Sequence, residues 1–151
     1  MKDIYWNSTM LDMEKEEKEV KNSHGSGPGG ANSNNSNNVV EVFNNKIFYY
    51  SVVDRGRILK LNKAILSLGV MISHRSLHLD VEAPPIKLHI NSYGGSVFSG
   101  FAAVDYILQS KVPVHTIIDG CAASAATIMS VVGTKRYMHR NAYMLIHQLS
   151  S

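Results

Sequence analysis

The stretch Ile117-Ile118-Asp119-Gly120-Cys121-Ala122-Ala123-Ser124-Ala125-Ala126 joins a β-branched run to a glycine, a serine and a set of small residues. Residues 112–118 have the Val, Thr and Ile content of a strand, and residues 124–132 read as the helix that follows it. Gly120 is expected to supply an unusual backbone angle at the junction, while Ala122, Ala123, Ala125 and Ala126 let two backbones approach closely. Ser124 then stands at a helix N-terminus, where unsatisfied N–H groups and the positive end of the helix dipole favour an anion. The N–H of Ala125 is therefore a candidate donor to a developing oxyanion. Serine is also an ordinary N-cap residue, so Ser124 takes its meaning from what stands around it.

On both sides of this stretch the chain alternates strand with helix. Residues 46–53 are β-branched and aromatic and close on the turn Asp54-Arg55-Gly56. A helix over 57–72 follows from the spacing of Ile58, Leu61, Ile65, Leu66 and Leu68. Residues 73–85 read as a loop ending at Pro84-Pro85, residues 86–90 as a strand and residues 91–96 as a tight turn. The next helix, over 97–110, sets Phe101, Val104, Ile107 and Leu108 on one face, and short strands are predicted at 136–138 and 142–146. This is the pattern of parallel βαβ units, an α/β fold with a mainly parallel sheet.

Three segments differ in composition. Residues 1–21 form a charged N-terminal extension around Asp12 through Glu19, and residues 22–38 are a Gly/Ser/Asn-rich flexible linker that cannot bury enough apolar surface to offset its ordering entropy. Residues 39–151 form the α/β domain. The chain has 151 residues, 44% of them hydrophobic, which suits one domain with a sizeable core. A net charge of +3 without an aromatic platform points away from nucleic acid. Cys121 is the single cysteine, so no internal disulfide forms, in keeping with a reducing cytoplasm. Neither a signal-peptide core nor an apolar run of about eighteen residues is present, so no membrane span is expected.

The histidines suggest no metal by spacing. His74 and His78 are an i, i+4 pair without a third ligand, and His24, His89, His115 and His139 are scattered, so neither zinc nor another cofactor is expected. The acidic run 12–19 lacks the spacing and central glycine of a calcium loop.

In a parallel sheet the loops after the strands gather along one edge, where ligands bind. Gly94-Gly95 follows the strand 86–90, Ser124 follows 112–118, and His147 ends 142–146. A serine needs a base to become a nucleophile, and a neutral imidazole is the usual one. The glycine pair can turn a bare N–H toward a substrate, so Gly95 joins Ala125 as a candidate oxyanion donor. Together these pieces point to acyl transfer. Cys121, three residues before Ser124, is a rival thiol, set against the commoner case of a small buried cysteine.

Ile90-Asn91-Ser92-Tyr93-Gly94-Gly95-Ser96-Val97, Gly120-Cys121-Ala122-Ala123-Ser124-Ala125-Ala126 and Met144-Leu145-Ile146-His147-Gln148 resemble three successive signatures of the Clp protease proteolytic subunit family, in that family's order, over about residues 46–151. The resemblance implies a crotonase-like α/β subunit in stacked heptameric rings, hydrolysing peptide bonds of unfolded polypeptides. It also implies a hexameric AAA+ unfoldase as partner, which spends the ATP; no P-loop pattern occurs in this chain. By the same resemblance Ser124 is the nucleophile, His147 the base, and the backbone N–H groups of Gly95 and Ala125 the oxyanion hole.

The sequence departs from the family at Tyr93, where proline is common, and at Cys121, where glutamine often stands. The family's third catalytic residue, a downstream aspartate, has no counterpart before Ser151, so the domain is read as C-terminally truncated, with Asp119 and Asp105 as the nearest carboxylates. The main reading is a cytoplasmic serine endopeptidase. The alternative is a catalytically inactive or split-gene fragment acting as a ring assembly subunit; a third is a crotonase-like enzyme of acyl-CoA thioesters, which does not require the Ser124 and His147 pair.

Overall fold

The computed structural model describes residues 39–147; the charged extension and the linker read at 1–21 and 22–38 lie outside the described residues. The elements are β1 (Val39–Phe43), β2 (Lys46–Tyr50), α1 (Arg55–Leu79), β3 (Ile86–Ser92), α2 (Val97–Leu108), β4 (Val114–Ala123), α3 (Ala125–Val131), β5 (Lys135–Met138) and β6 (Tyr143–Leu145). Strands β2 to β5 lie parallel and in sequence order, β1 pairs antiparallel with β2, and β6 pairs parallel with the last residues of β4. Consecutive parallel strands joined in that order have their crossover helices on one face of the sheet.

The burial pattern follows the two-residue period of a strand. Ile47 and Tyr49 of β2, Ile86, Leu88 and Ile90 of β3, and Val114, Thr116 and Ile118 of β4 are buried against Ile58, Leu61, Ile65, Leu68 and Ile72 of α1 and Met129 of α3. The alternate residues Lys46, Phe48, Lys87, His89, His115 and Ile117 face the other way and are only partly covered or exposed.

The α/β alternation stands as read, with four differences. The β1–β2 hairpin, turning at Asn44 in the left-handed region (φ 55°), adds a strand the sequence reading did not include. Helix α1 runs on through residues 73–79, where the sequence predicts a loop. No glycine or proline interrupts that segment, Ile72 and Ser76 prolong its buried stripe, and the helix stops only at Asp80, which is left-handed (φ 51°, ψ 48°). Strand β4 continues past residue 118 to Ala123 because β6 supplies a ladder partner there, overriding the low strand propensity of glycine and alanine.

Finally, α2 does not bury the face assigned to it. Ser99, Gly100, Ala103 and Ile107 are buried, whereas Phe101 and Leu108 are exposed. The small stripe is needed because a Cβ on Gly100 would stand 3.2 Å from the Ala125 carbonyl oxygen.

Helix α1 begins with a side-chain cap. The Arg57 N–H donates to Asp54 Oδ1 at 2.8 Å, and the Arg57 guanidinium pairs with Oδ2. The capping N–H, ahead of the guanidinium, holds the Asp54 carboxyl below the ordinary aspartate range. Asp54→Ala is expected to lower stability by about 1 kcal/mol in denaturant titrations at neutral pH, nearly all of it from the cap, since the solvated ion pair contributes little. Because the folded carboxyl lies below its unfolded value, this stabilisation is complete above the ordinary carboxylate range and fades as pH falls through the folded value. The gap between variant and parent should therefore narrow in acid; a gap independent of pH would show that ionised Asp54 is not the cap.

Candidate functional site

Strand β4 ends at Ala123, and Ser124 then takes φ 53°, ψ −124°, a conformation costing a non-glycine residue about 1–3 kcal/mol. Its backbone is held from two sides. The Ser124 N–H donates to the Leu145 carbonyl of β6 at 3.1 Å, and the Ser124 carbonyl accepts the Thr127 N–H at 3.0 Å and the Thr127 hydroxyl. The Ser124 side chain makes no capping bond to α3, unlike the side chains that begin α1 and α2. The unusual angle expected at Gly120 thus belongs to Ser124 instead. Gly120 is required for space: a Cβ there would stand 2.9 Å from Asn91 Oδ1, which accepts the Cys121 N–H at 3.2 Å.

The turn after β3 is pressed against this serine. Gly94 and Gly95 have φ 95° and 148°, and a Cβ on Gly94 would lie 2.6 Å from the Ala123 carbonyl oxygen, 2.8 Å from Ser124 Cβ and 3.1 Å from the Ala125 nitrogen. Only glycine permits that approach. A bridge from Val53 fixes the second glycine: Val53 N–H donates to the Gly94 carbonyl at 2.8 Å, and Ser96 N–H donates to the Val53 carbonyl at 2.7 Å. This pairing uses the backbone on either side of Gly95, so the Gly95 N–H faces the opposite edge. His147 is exposed and lies two residues beyond Leu145, whose carbonyl holds Ser124. The structure therefore packs the Gly94-Gly95 turn directly on the Ser124-Ala125 turn and brings the chain leading into His147 to the same rim.

The two carboxylates weighed beside His147 stand in different surroundings. Asp105 is exposed on α2. Asp119, mostly buried on the outward face of β4, accepts the Tyr50 hydroxyl at 2.6 Å and lies 2.9 Å from His89 Nδ1 and 3.1 Å from His139 Nε2. Burial, with that hydrogen bond to Asp119 as the next cause, pushes the Tyr50 phenol up to about 12. Two of the histidines that are scattered along the sequence, His89 and His139, thus meet on one carboxylate, because β3, β4 and β5 are neighbours and His139 directly follows β5. The rival thiol, Cys121, is buried in β4 opposite Tyr143. Hydrogen bonding to Cys121, then the charge it carries when ionised and that of Tyr93, hold the Tyr143 phenol above its ordinary value.

A mainly parallel sheet of βαβ units, with a serine on a strained turn at the strand ends and a glycine turn packed on it, defines a crotonase-like α/β domain. The chain belongs to the Clp protease family, whose model matches residues 43–151. It is 38% identical over 104 residues to the ATP-dependent Clp protease proteolytic subunit of Bdellovibrio bacteriovorus, covering 66% of this chain and 49% of the relative. To the subunit of the same description from Leuconostoc citreum it is 42% identical over 86 residues, covering 54% and 43%. The chain thus spans about half the length of the curated relatives it matches.

Among solved structures, the ClpP protease catalytic domain of Plasmodium falciparum superposes with a TM-score of 0.60 at 27% identity, covering 70% of this chain and 55% of that one. ClpP1 from Listeria monocytogenes superposes with a TM-score of 0.60 at 24% identity, covering 70% and 57%, a likeness of fold.

The strain at Ser124 is measurable. At ordinary positions alanine is more stable than glycine by about 0.5–1 kcal/mol. At a residue with φ 53°, ψ −124° the order should reverse, with Ser124→Gly more stable than Ser124→Ala by about 1 kcal/mol in denaturant titrations. An unreversed order would mean that the turn relaxes in the variants.

Proposed function

We propose that this chain is the proteolytic subunit of an ATP-dependent Clp protease, a serine endopeptidase, with Ser124 as nucleophile and His147 as general base. The observation that supports this reading is the strained Ser124 turn, with Gly94 packed against Ser124 and the Ala125 nitrogen. In the mechanism His147 takes the proton as Ser124 Oγ attacks the scissile carbonyl, and the Gly95 and Ala125 N–H groups receive the oxyanion. His147 then protonates the leaving amine, and a water activated by the same imidazole hydrolyses the acyl-enzyme.

The chemistry uses side chains and backbone alone. ATP is spent by an AAA+ unfoldase that feeds unfolded polypeptide to the subunit in the cytoplasm. Assembly into stacked heptameric rings is supported by the apolar surface of Phe98, Phe101 and Leu108 on α2 and of Ile146 beside His147, all exposed in the single chain. No helix among the described residues is long and apolar enough to cross a membrane.

A fluorophosphonate probe tests the reading on the assembled protein, with assembly checked by native mass spectrometry. Labelling at Ser124 is expected, abolished in Ser124→Ala and slowed about a thousand-fold or more in His147→Ala, while Asp105→Asn labels as the parent does. Assembled rings that take up no label would overturn the catalytic role and leave the chain an assembly subunit.

A further inference from the structure

We propose that His89, Asp119 and His139 form a binding site for a divalent metal of the zinc class on the face of the sheet opposite the helices. Their donor atoms, His89 Nδ1, an Asp119 carboxylate oxygen and His139 Nε2, all lie within 4.8 Å of one another. Two imidazoles and one carboxylate are the donor set of a zinc site that keeps a fourth position open. With metal-to-ligand distances of about 2.0–2.2 Å, tetrahedral geometry sets neighbouring donors about 3.3 Å apart. The separations from Asp119 Oδ1, 2.9 Å to His89 and 3.1 Å to His139, need a few tenths of an ångström of opening, and the two imidazole nitrogens, within 4.8 Å of each other, close on the ion by movement of the exposed His139.

The surroundings preset these donors. His89 is stacked on Phe48 with ring centroids 4.8 Å apart, which fixes the ring plane with Nδ1 toward the carboxylate. Asp119 is oriented by the Tyr50 hydroxyl at Oδ2, the kind of outer contact that holds a metal-binding carboxylate in place. His139 is anchored through its backbone, its N–H donating to the Ile118 carbonyl at 2.9 Å, one residue from Asp119. His89 and Asp119 are 14% and 12% exposed and His139 is 61% exposed, so two donors are fixed and the third is free to adjust on the solvent side, where the open position lies. Lys46 and Lys87 line the same hollow, and their positive charge argues for a reversibly filled site.

The full-length chain, freed of metal with a chelator, is titrated with Co2+ followed by visible absorption, and the bound Co2+ is then competed with Zn2+. One equivalent of tetrahedral Co2+ per chain, displaced by Zn2+, is expected. His139→Ala, a change at an exposed position that spares the core, should weaken binding at least tenfold. Tyr50→Phe, which removes no ligand, should weaken it about tenfold. His74→Ala and His24→Ala should bind as the parent does. Absence of stoichiometric uptake, or equal losses in the His74, His24 and His139 variants, would overturn the site.

Discussion

The Ser124 N–H donates to the Leu145 carbonyl at 3.1 Å, and through this bond β6 closes on the end of β4. Three hydrogen bonds meet the Ser124 backbone, one at its N–H and two at its carbonyl, each with a net value of about 0.5–1.5 kcal/mol. Their sum is of the same order as the 1–3 kcal/mol that the φ, ψ pair costs, so the unusual angle is retained because its neighbours specify it. The same bond brings the chain of β6 past the serine, two residues before His147. The strained angle at the serine and the course of the chain beyond β6 thus depend on one strand pairing.

Close backbone approach is the second requirement, and it explains the mixture of small residues around the site. Gly94 lies where a Cβ would strike Ala123 and Ser124, and Gly100 lies where one would press on the Ala125 carbonyl. Helix α2 therefore turns its smallest residues inward and leaves Phe98 and Phe101 outside, paired edge to face with ring centroids 6.5 Å apart. Large apolar residues on a helix mark the buried face only when there is room for them. Here the available depth was set by the turns at the strand ends.

This is also the physical reason for what the sequence revealed and what it concealed. The β-branched runs at 46–50, 86–90 and 114–118, and the amphipathic spacing of Ile58, Leu61, Ile65 and Leu68, are local signals, and the sheet order follows from them. The glycine pair and the serine were legible as turns because their residue types are rare inside regular elements. Positions governed by long-range pairing were not legible: the extension of β4 through Gly120 to Ala123 depends on β6 some twenty residues later, and the burial of Gly100 depends on α3. The meeting of His89, Asp119 and His139 depends on the adjacency of three strands. Its only sequence trace is that Lys87 and His89, and His115 and Asp119, fall on the outward beat of two neighbouring strands.

That outward beat bears on the fold as well as on ligands. A parallel sheet usually has both faces covered, and its strands then read as continuous apolar runs. In β2, β3 and β4 the runs instead alternate, with Lys46, Phe48, Tyr50, Lys87, His89, His115 and Asp119 on the face opposite the described helices. Aromatic and imidazole rings stack across the strands there, Phe48 on His89 and His115 near Tyr137, covering backbone while presenting polar atoms to water. Burial, then Lys135 and Lys87, lowers the His115 pKa, which favours the neutral imidazole. The same compromise that lets one face of a parallel sheet meet solvent places nitrogen and oxygen donors side by side. Strand β4 consequently carries ligand chemistry on its outward residues and ends in the strained serine, with the helix-covered core between.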